Sequence, residues 1–197
     1  MSLDKFIAVI PAHLASVRFP NKILHPIHGL PMIEHVRRRA VISGVFDRVV
    51  VATCDDEIAH ELEKYHADVI MTSDTHLNGS SRAFEISQKT EGDYYCILQG
   101  DEPTIPPSEI QSFISKIKTN KNADVWNAVA SLRDQSDLDN PSFVKATISQ
   151  NSSIHYCFRR SLSNNPFHLQ KSYIAKILGV ICFSNDALIK FNNREQS

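Results

Sequence analysis

Short apolar runs and stretches of helical periodicity take turns from Phe6 to Ala130, and this alternation constrains the fold more than any other feature of the chain. Residues 6–10 are apolar and end at Pro11, while residues 49–52 are apolar and run into polar residues 53–56; both read as buried strands. Between them Met32, Ile33, Val36, Ala40 and Val41 recur at helical spacing, with Arg37, Arg38 and Arg39 interleaved, and Gly44 stands where a helix would stop. Asp55 or Asp56 is placed to cap a second helix carrying Ile58, Ala59 and Leu62, ahead of a strand at residues 69–71. The same rhythm predicts a helix over 80–88, a strand at 94–98, a helix over 108–118 and a strand at 125–130. Strands separated by helices run parallel, so the expected class is α/β, a mostly parallel sheet with helices on both faces. Such sheets take ligands beyond the carboxyl ends of their strands, which gives extra weight to motifs that follow strands.

After Ser131 the pattern loosens. A hairpin is expected from residues 143–149 and 154–158, then a strand at 174–183 and a short helix at 184–190. A length of 197 residues suits a single domain over 1–197, with residues 1–130 as its regular half and 131–197 as a divergent second half. The formal charge is −1 and the basic residues are scattered, so neither nucleic acid nor a membrane is expected as partner, and any anion must be met by a local site. No apolar run approaches the ~20 residues of a membrane span and the start lacks a signal-peptide layout, which predicts a cytoplasmic protein. Cys54, Cys96, Cys157 and Cys182 are far apart with no C-x-x-C spacing. Small buried thiols are expected rather than a disulfide framework or a zinc site. His25 and His28 flank a probable turn, His60 and His66 belong to a polar helix face, and the nine histidines show no ligand spacing.

Three segments follow predicted strands and carry chemistry. In the first, residues 10–22, small Ala12, Ala15 and Ser16 would let backbone N–H groups approach an anion, and Arg18 and Lys22 can reach phosphate oxygens. Neither a P-loop nor a G-x-G-x-x-G fingerprint is present, and a basic surface loop without a ligand accounts for the spacing equally well. In the second, the strand at 94–98 runs into Gln99-Gly100-Asp101-Glu102-Pro103. An aspartate there is suited to holding Mg²⁺ against substrate phosphates, or serves simply as a turn former. The third, Met71 to Arg82, reads as a helix entry with Asn78 or Ser80 as N-cap.

These segments resemble the 3-deoxy-manno-octulosonate (Kdo) cytidylyltransferases. Residues 10–24 resemble that family's I-P-A-R-x-x-S-x-R-x-P-x-K-x-L, residues 29–36 its G-K-P-M-I-x-H-V, residues 71–82 its M-T-x-x-x-H-x-S-G-T-x-R, and residues 99–106 its Q-G-D-E-P-x-I-P. The resemblance is dense from about residue 6 to 110. It implies a nucleotide-diphospho-sugar transferase (GT-A-like) architecture and an enzyme that joins CTP to an acidic sugar, releasing pyrophosphate, for lipopolysaccharide or surface polysaccharide synthesis. It further implies that Arg18, Lys22 and Asp101 are catalytic, with Asp101 as the ligand of a Mg²⁺ cofactor and Gln99 beside the sugar. Pro11, Ala12, His13, Leu14 and Ser16 would meet the nucleotide from one side together with Arg18 and Lys22, and Met71, Thr72, Gly79 and Arg82 from another. The resemblance implies as well that residues 1–130 are the nucleotide-binding half and 131–197 a divergent, truncated sugar-binding and dimerisation half, and family members are commonly homodimers.

Departures from the family pattern favour a second reading, a nucleotide-binding relative without catalysis. His13 stands where the family has arginine, and a neutral imidazole cannot make the bidentate phosphate contact of a guanidinium. Ile177 stands where a family histidine contacts the sugar acid, and isoleucine offers no hydrogen bond. The aromatic-rich stretch after the family's Y-F-S-R segment is altered here at residues 157–165, and the sequence given ends at Ser197, short of a family V-D-T-P-E-D motif. A glycosyltransferase reading lacks its usual D-x-D metal motif.

Overall fold

The computed structural model describes residues 4–15 and 19–195. Along the chain come β1 (Phe6–Ala12), a 3₁₀ turn (Lys22–Leu24), β2 (Pro26–Ile27), β3 (Leu30–Pro31), α1 (Met32–Ser43), β4 (Arg48–Thr53), α2 (Asp56–Glu63), β5 (Asp68–Met71), α3 (Gly79–Lys89), β6 (Tyr94–Leu98) and α4 (Pro107–Thr119). There follow β7 (Val125–Ser131), α5 (Gln135–Asp139), β8 (Lys145–Ile148), β9 (Ile154–Phe158), α6 (Phe167–Gln170), β10 (Ile174–Ser184) and α7 (Asn185–Glu195). Two compact units divide the chain: one holds the described residues up to Trp126 and those from Val180 onward, the other is Asn127–Gly179.

In the first unit the strands lie in the order β5-β4-β1-β6-β10. The pairs β1–β4, β1–β6 and β4–β5 are parallel, and β10 runs antiparallel beside β6 with Val180 opposite Leu98 and Ser184 opposite Tyr94. Because side chains alternate across a strand, both faces of the central strands are apolar. Ile7, Val9, Tyr95 and Ile97 meet Ala83 and Ile86 of α3 and Ala187 and Leu188 of α7 on one face. Phe6, Cys96 and Cys182 meet Ile114 and Ile117 of α4 on the other. Helices thus cover both faces, and every connection of the parallel strands leaves its loop at one carboxyl edge.

α1 ends as its sequence predicts, with Gly44 in the left-handed region at φ 65°. Its helical stripe is narrower than expected: Ile33, Val36 and Ala40 are buried, whereas Val41 is exposed together with Ile42. Glu34 is wholly buried in the first turn and accepts from Arg37 at 2.6 and 2.8 Å and from Arg38 at 2.7 Å. Burial alone would raise its carboxyl pKa, but the hydrogen bonds from the two guanidinium groups bring it below the ordinary value. Just upstream, His28 and Gly29 both have positive φ, 47° and 82°, and form the two-residue tip of the β2–β3 hairpin. His28 therefore sits within the turn rather than beside it.

In the second unit β8 pairs antiparallel with β9 and with the first residues of β10, over a core of Leu132, Leu138 and Ile174 backed by Phe158, Phe167 and Tyr173. Lys145 is wholly buried there and donates to the carbonyls of Asn140, at 2.8 Å, and Arg159. The two short helices α5 and α6 have no counterpart in the sequence reading, because four or five residues are too few to display a helical period.

The cysteines need correction. Cys96 and Cys182 lie directly opposite one another on β6 and β10 with Cα atoms 4.0 Å apart, and they are joined as a disulfide across 86 residues of sequence. Cys157 is exposed and Cys54 partly so. Among the described residues no helix is long and apolar enough to cross a membrane.

Candidate active site

Three loops at the carboxyl edge of the parallel strands converge on Pro11, at the end of β1. A Cβ added at Gly100, in the turn after β6, would lie 3.1 Å from the Pro11 carbonyl oxygen. One added at Gly79, the first residue of α3, would lie 3.2 Å from Pro11 Cγ. Glycine at both positions lets the β6 turn and the start of α3 close on the β1 loop more tightly than a side chain would comfortably allow. Ala12, the next residue, is buried, and His13 is exposed beyond it.

Side chains then tie the loops together. Lys22, in the 3₁₀ turn, donates from Nζ to Asp101 Oδ2 at 2.5 Å, so the expected phosphate-binding cation and the expected metal-binding carboxylate are one ion pair. Both remain open to solvent, with 28% and 44% of their side chains exposed. The Leu14 N–H donates to Asp55 Oδ2 at 2.9 Å. Asp55 does occupy the N-cap position of α2, but its carboxylate is committed to the β1 loop and makes no capping bond.

The loop after β5 is held from below. Thr72 is buried, and its N–H donates to the Thr53 carbonyl at 2.8 Å. Arg82, only 5% exposed, donates to Thr72 Oγ1 and places Nη2 3.7 Å from Cys54 Sγ. Neither partner is a carboxylate, and among the described residues no carboxylate pairs with this buried guanidinium, an arrangement suited to an anion. Asn78 caps α3 by accepting from Ser81 N–H at 2.8 Å. Met71 is exposed at the end of β5, and Gln99 is exposed between Leu98 and Gly100.

Of the residues singled out from sequence, the structure therefore gathers Pro11, Ala12, His13, Leu14, Lys22, Met71, Thr72, Gly79, Arg82, Gln99 and Asp101 at one sheet edge. Ser16 and Arg18 lie outside the described residues. Ile177 belongs to the second unit, where its N–H donates to the Val144 carbonyl at 2.9 Å. Thr53, Cys54 and Asp55 support the site without having been singled out for it; their one signal was a polar run directly after an apolar strand.

A cation and a carboxylate presented above a mostly parallel, doubly covered sheet fit a nucleotidyltransferase-type domain. Comparison with known proteins agrees. The family model for cytidylyltransferases matches residues 7–190. A 3-deoxy-manno-octulosonate cytidylyltransferase of Fusobacterium nucleatum is 35% identical over 95% of this chain and 76% of its own length. The Escherichia coli enzyme of that name is 31% identical over 99% of this chain and 78% of its own. A solved CMP:2-keto-3-deoxy-manno-octonic acid synthetase complexed with CTP superposes with a TM-score of 0.89 at 30% identity, covering 96% of this chain and 78% of that one. The chain belongs to the cytidylyltransferase family, and within it to the 3-deoxy-manno-octulosonate cytidylyltransferases.

Proposed function

We propose that this chain transfers CMP from CTP to 3-deoxy-manno-octulosonate. A hydroxyl of the sugar acid attacks the α-phosphorus of CTP, the bond from that phosphorus to the oxygen bridging the α- and β-phosphates breaks, the hydroxyl proton is released, and CMP-sugar and pyrophosphate form. The observation that carries this reading is the Lys22–Asp101 pair, which sets a cation and an anion from two distant loops at one point of the carboxyl edge. The chemistry asks for little covalent participation by the protein, so positioning and charge neutralisation supply the rate.

Lys22 would neutralise charge gathering on the departing pyrophosphate, and Arg82 offers a second, buried cation on the other side of the Pro11 loop. Arg18 is assigned beside Lys22 on its motif alone. Gln99, exposed beside the catalytic turn, would contact the sugar.

Asp101 fits magnesium: it is a solvent-accessible hard oxygen donor, and this ion is ordinarily held by one or two carboxylates plus substrate phosphates and water. When bound, the ion would neutralise phosphate charge and polarise the phosphoryl oxygens. The proposal extends to a cytoplasmic homodimer, for which Ile154 and Tyr156 of β9 supply exposed apolar surface. It includes neither a nucleic-acid nor a membrane partner, in keeping with the net charge of −1.

Pyrophosphate release from CTP and 3-deoxy-manno-octulosonate tests the reading. Asp101→Ala should lower kcat/KM by about 10²-fold or more. An unchanged rate removes Asp101 from the site, and uptake of CTP by wild-type protein without turnover would mark a non-catalytic binder.

A further inference from the structure

α3 carries more than Arg82 on the side that meets the β5 loop. Arg82, Glu85 and Lys89 follow at steps of three and four residues and so share one stripe of the helix. Glu85 Oε2 accepts from the Ser73 N–H at 2.9 Å and lies 2.6 Å from His76 Nε2. Its other oxygen, Oε1, accepts from Lys89 Nζ at 2.6 Å, and Lys89 Nζ donates as well to the Met71 carbonyl at 2.8 Å. Arg82 grips Thr72 from the same stripe. One face of one helix thus holds Met71, Thr72, Ser73 and His76.

The chemistry of the central carboxylate sets the state of the histidine. Burial by itself would raise the Glu85 carboxyl pKa, but hydrogen bonds from Lys89, Ser73 and His76 bring it down to about 2. An ionised carboxylate only accepts, so the hydrogen in its contact with His76 must reside on Nε2. In a neutral imidazole that leaves Nδ1 as an acceptor. The contact is sheltered, with 15% of the His76 and 23% of the Glu85 side chain exposed.

We propose that Glu85 is a positioning residue for the nucleotide-binding loop, holding residues 71–76 against α3 and fixing His76 as its Nε2–H tautomer. The consequence for catalysis rests on the CTP reading above; the tautomer does not. Glu85 acts through the loop and not on the reacting phosphorus. Its loss should therefore weaken ground state and transition state alike, raising KM and sparing kcat.

The test is Glu85→Gln in the full chain, with Glu61→Gln as a charge-matched control on α2, where Glu61 pairs with Lys64 in a partly exposed ion pair. Glu85→Gln should raise KM for CTP about tenfold, the loss of one charge-assisted hydrogen bond, with kcat within about twofold, while Glu61→Gln changes neither. Imidazole ¹⁵N shifts of wild-type protein should show His76 as the Nε2–H form, and Glu85→Gln should shift that signal toward a mixture of tautomers. An Nδ1–H signal in wild type overturns the proposal, even where Glu85→Gln fails to fold. So does a Glu85→Gln protein with unchanged KM, or one in which kcat alone falls. If wild-type protein takes up no CTP, the proposed function fails, while the ring signal still decides the tautomer.

Discussion

Replacing Gly100 by alanine tests whether the Pro11 convergence sets the geometry of the turn that carries Asp101. The added Cβ would stand 3.1 Å from the Pro11 carbonyl oxygen, 3.3 Å from Ile23 Cδ1 and 3.7 Å from Ile10 Cγ2. The first contact is the hard one. Pro11 is paired with Ala52 in the β1–β4 ladder, so its carbonyl cannot retreat without disturbing the sheet, and the turn must give by a few tenths of an ångström. Gly100 does not have the positive φ that would add backbone strain, and alanine restricts the unfolded chain, a gain of about 0.4–1 kcal/mol. Overpacking costs about 1–3 kcal/mol. The net loss is about 1–2 kcal/mol, which for a chain of this size lowers Tm by roughly 2–8 °C. Asp101, the proposed magnesium ligand, is the next residue, and a misplacement of about 1 Å at a reacting centre costs on the order of 10²-fold. A shift of a few tenths should therefore lower kcat/KM roughly 3- to 10-fold. Gly92→Ala is the control, because its Cβ would fall 2.6 Å from Ile7 Cγ1 at the amino end of β6. It should cost at least as much stability yet leave kcat/KM within about twofold, since the strain is remote from the site. Thermal melts and pyrophosphate release measure both variants. If Gly100→Ala matches wild type in kcat/KM while Gly92→Ala does not, the proposed link between the turn and the chemistry is refuted.

Glu34→Ala removes the buried partner of Arg37 and Arg38 and should cost about 3 kcal/mol in urea unfolding without altering KM for CTP; a loss under about 1 kcal/mol would show that the pair is dispensable. Folding depresses the Glu85 pKa from 4.5 to about 2, so its contribution is complete above the unfolded value and disappears as pH falls through the folded one. The shift corresponds to roughly 3 kcal/mol at most, and partial exposure reduces this to about 1–2 kcal/mol. Between about pH 5 and pH 2 the stability of Glu85→Gln should accordingly fall less steeply than that of wild type, and parallel curves would contradict this. Arg82→Lys places a point charge where a planar fork now spans Thr72 and Cys54, and calorimetry should find CTP bound about tenfold more weakly. Equal affinity would show that the guanidinium is structural.

Much of the fold was legible because the central strands are buried on both faces. Residues 6–10, 49–52 and 94–98 had to be near-continuous apolar runs, and such runs are conspicuous in a sequence. Their order was not legible. Nothing local to β1 says that it lies between β4 and β6, and nothing in residues 174–183 says that they return antiparallel beside β6. The Cys96–Cys182 pairing was hidden for the same reason, since it follows from strand order and not from spacing. At the sheet edge, Lys22 and Asp101 were each chosen for their own chemistry, phosphate for one and metal for the other. Their contact across 79 residues is tertiary information. Asp55 shows the reverse case: its helix-capping position was visible, but the use of its carboxylate by Leu14 depended on a loop folded 41 residues away. Glu85 and Lys89 read as ordinary polar residues of a helix, and only the path of the β5 loop gives them work.

The Lys22–Asp101 contact also bears on how the protein meets its substrate in solution. Opposite charges 2.5 Å apart cancel each other's field at the range over which a diffusing anion would sense it, so this pair adds little long-range attraction of its own. On the proposed function, a nucleotide and magnesium would exchange this one ion pair for two others, so both side chains would be paired before and after binding. The contribution of Lys22 and Asp101 to association should then depend weakly on ionic strength, and these two side chains would act after encounter, when they part to take new partners.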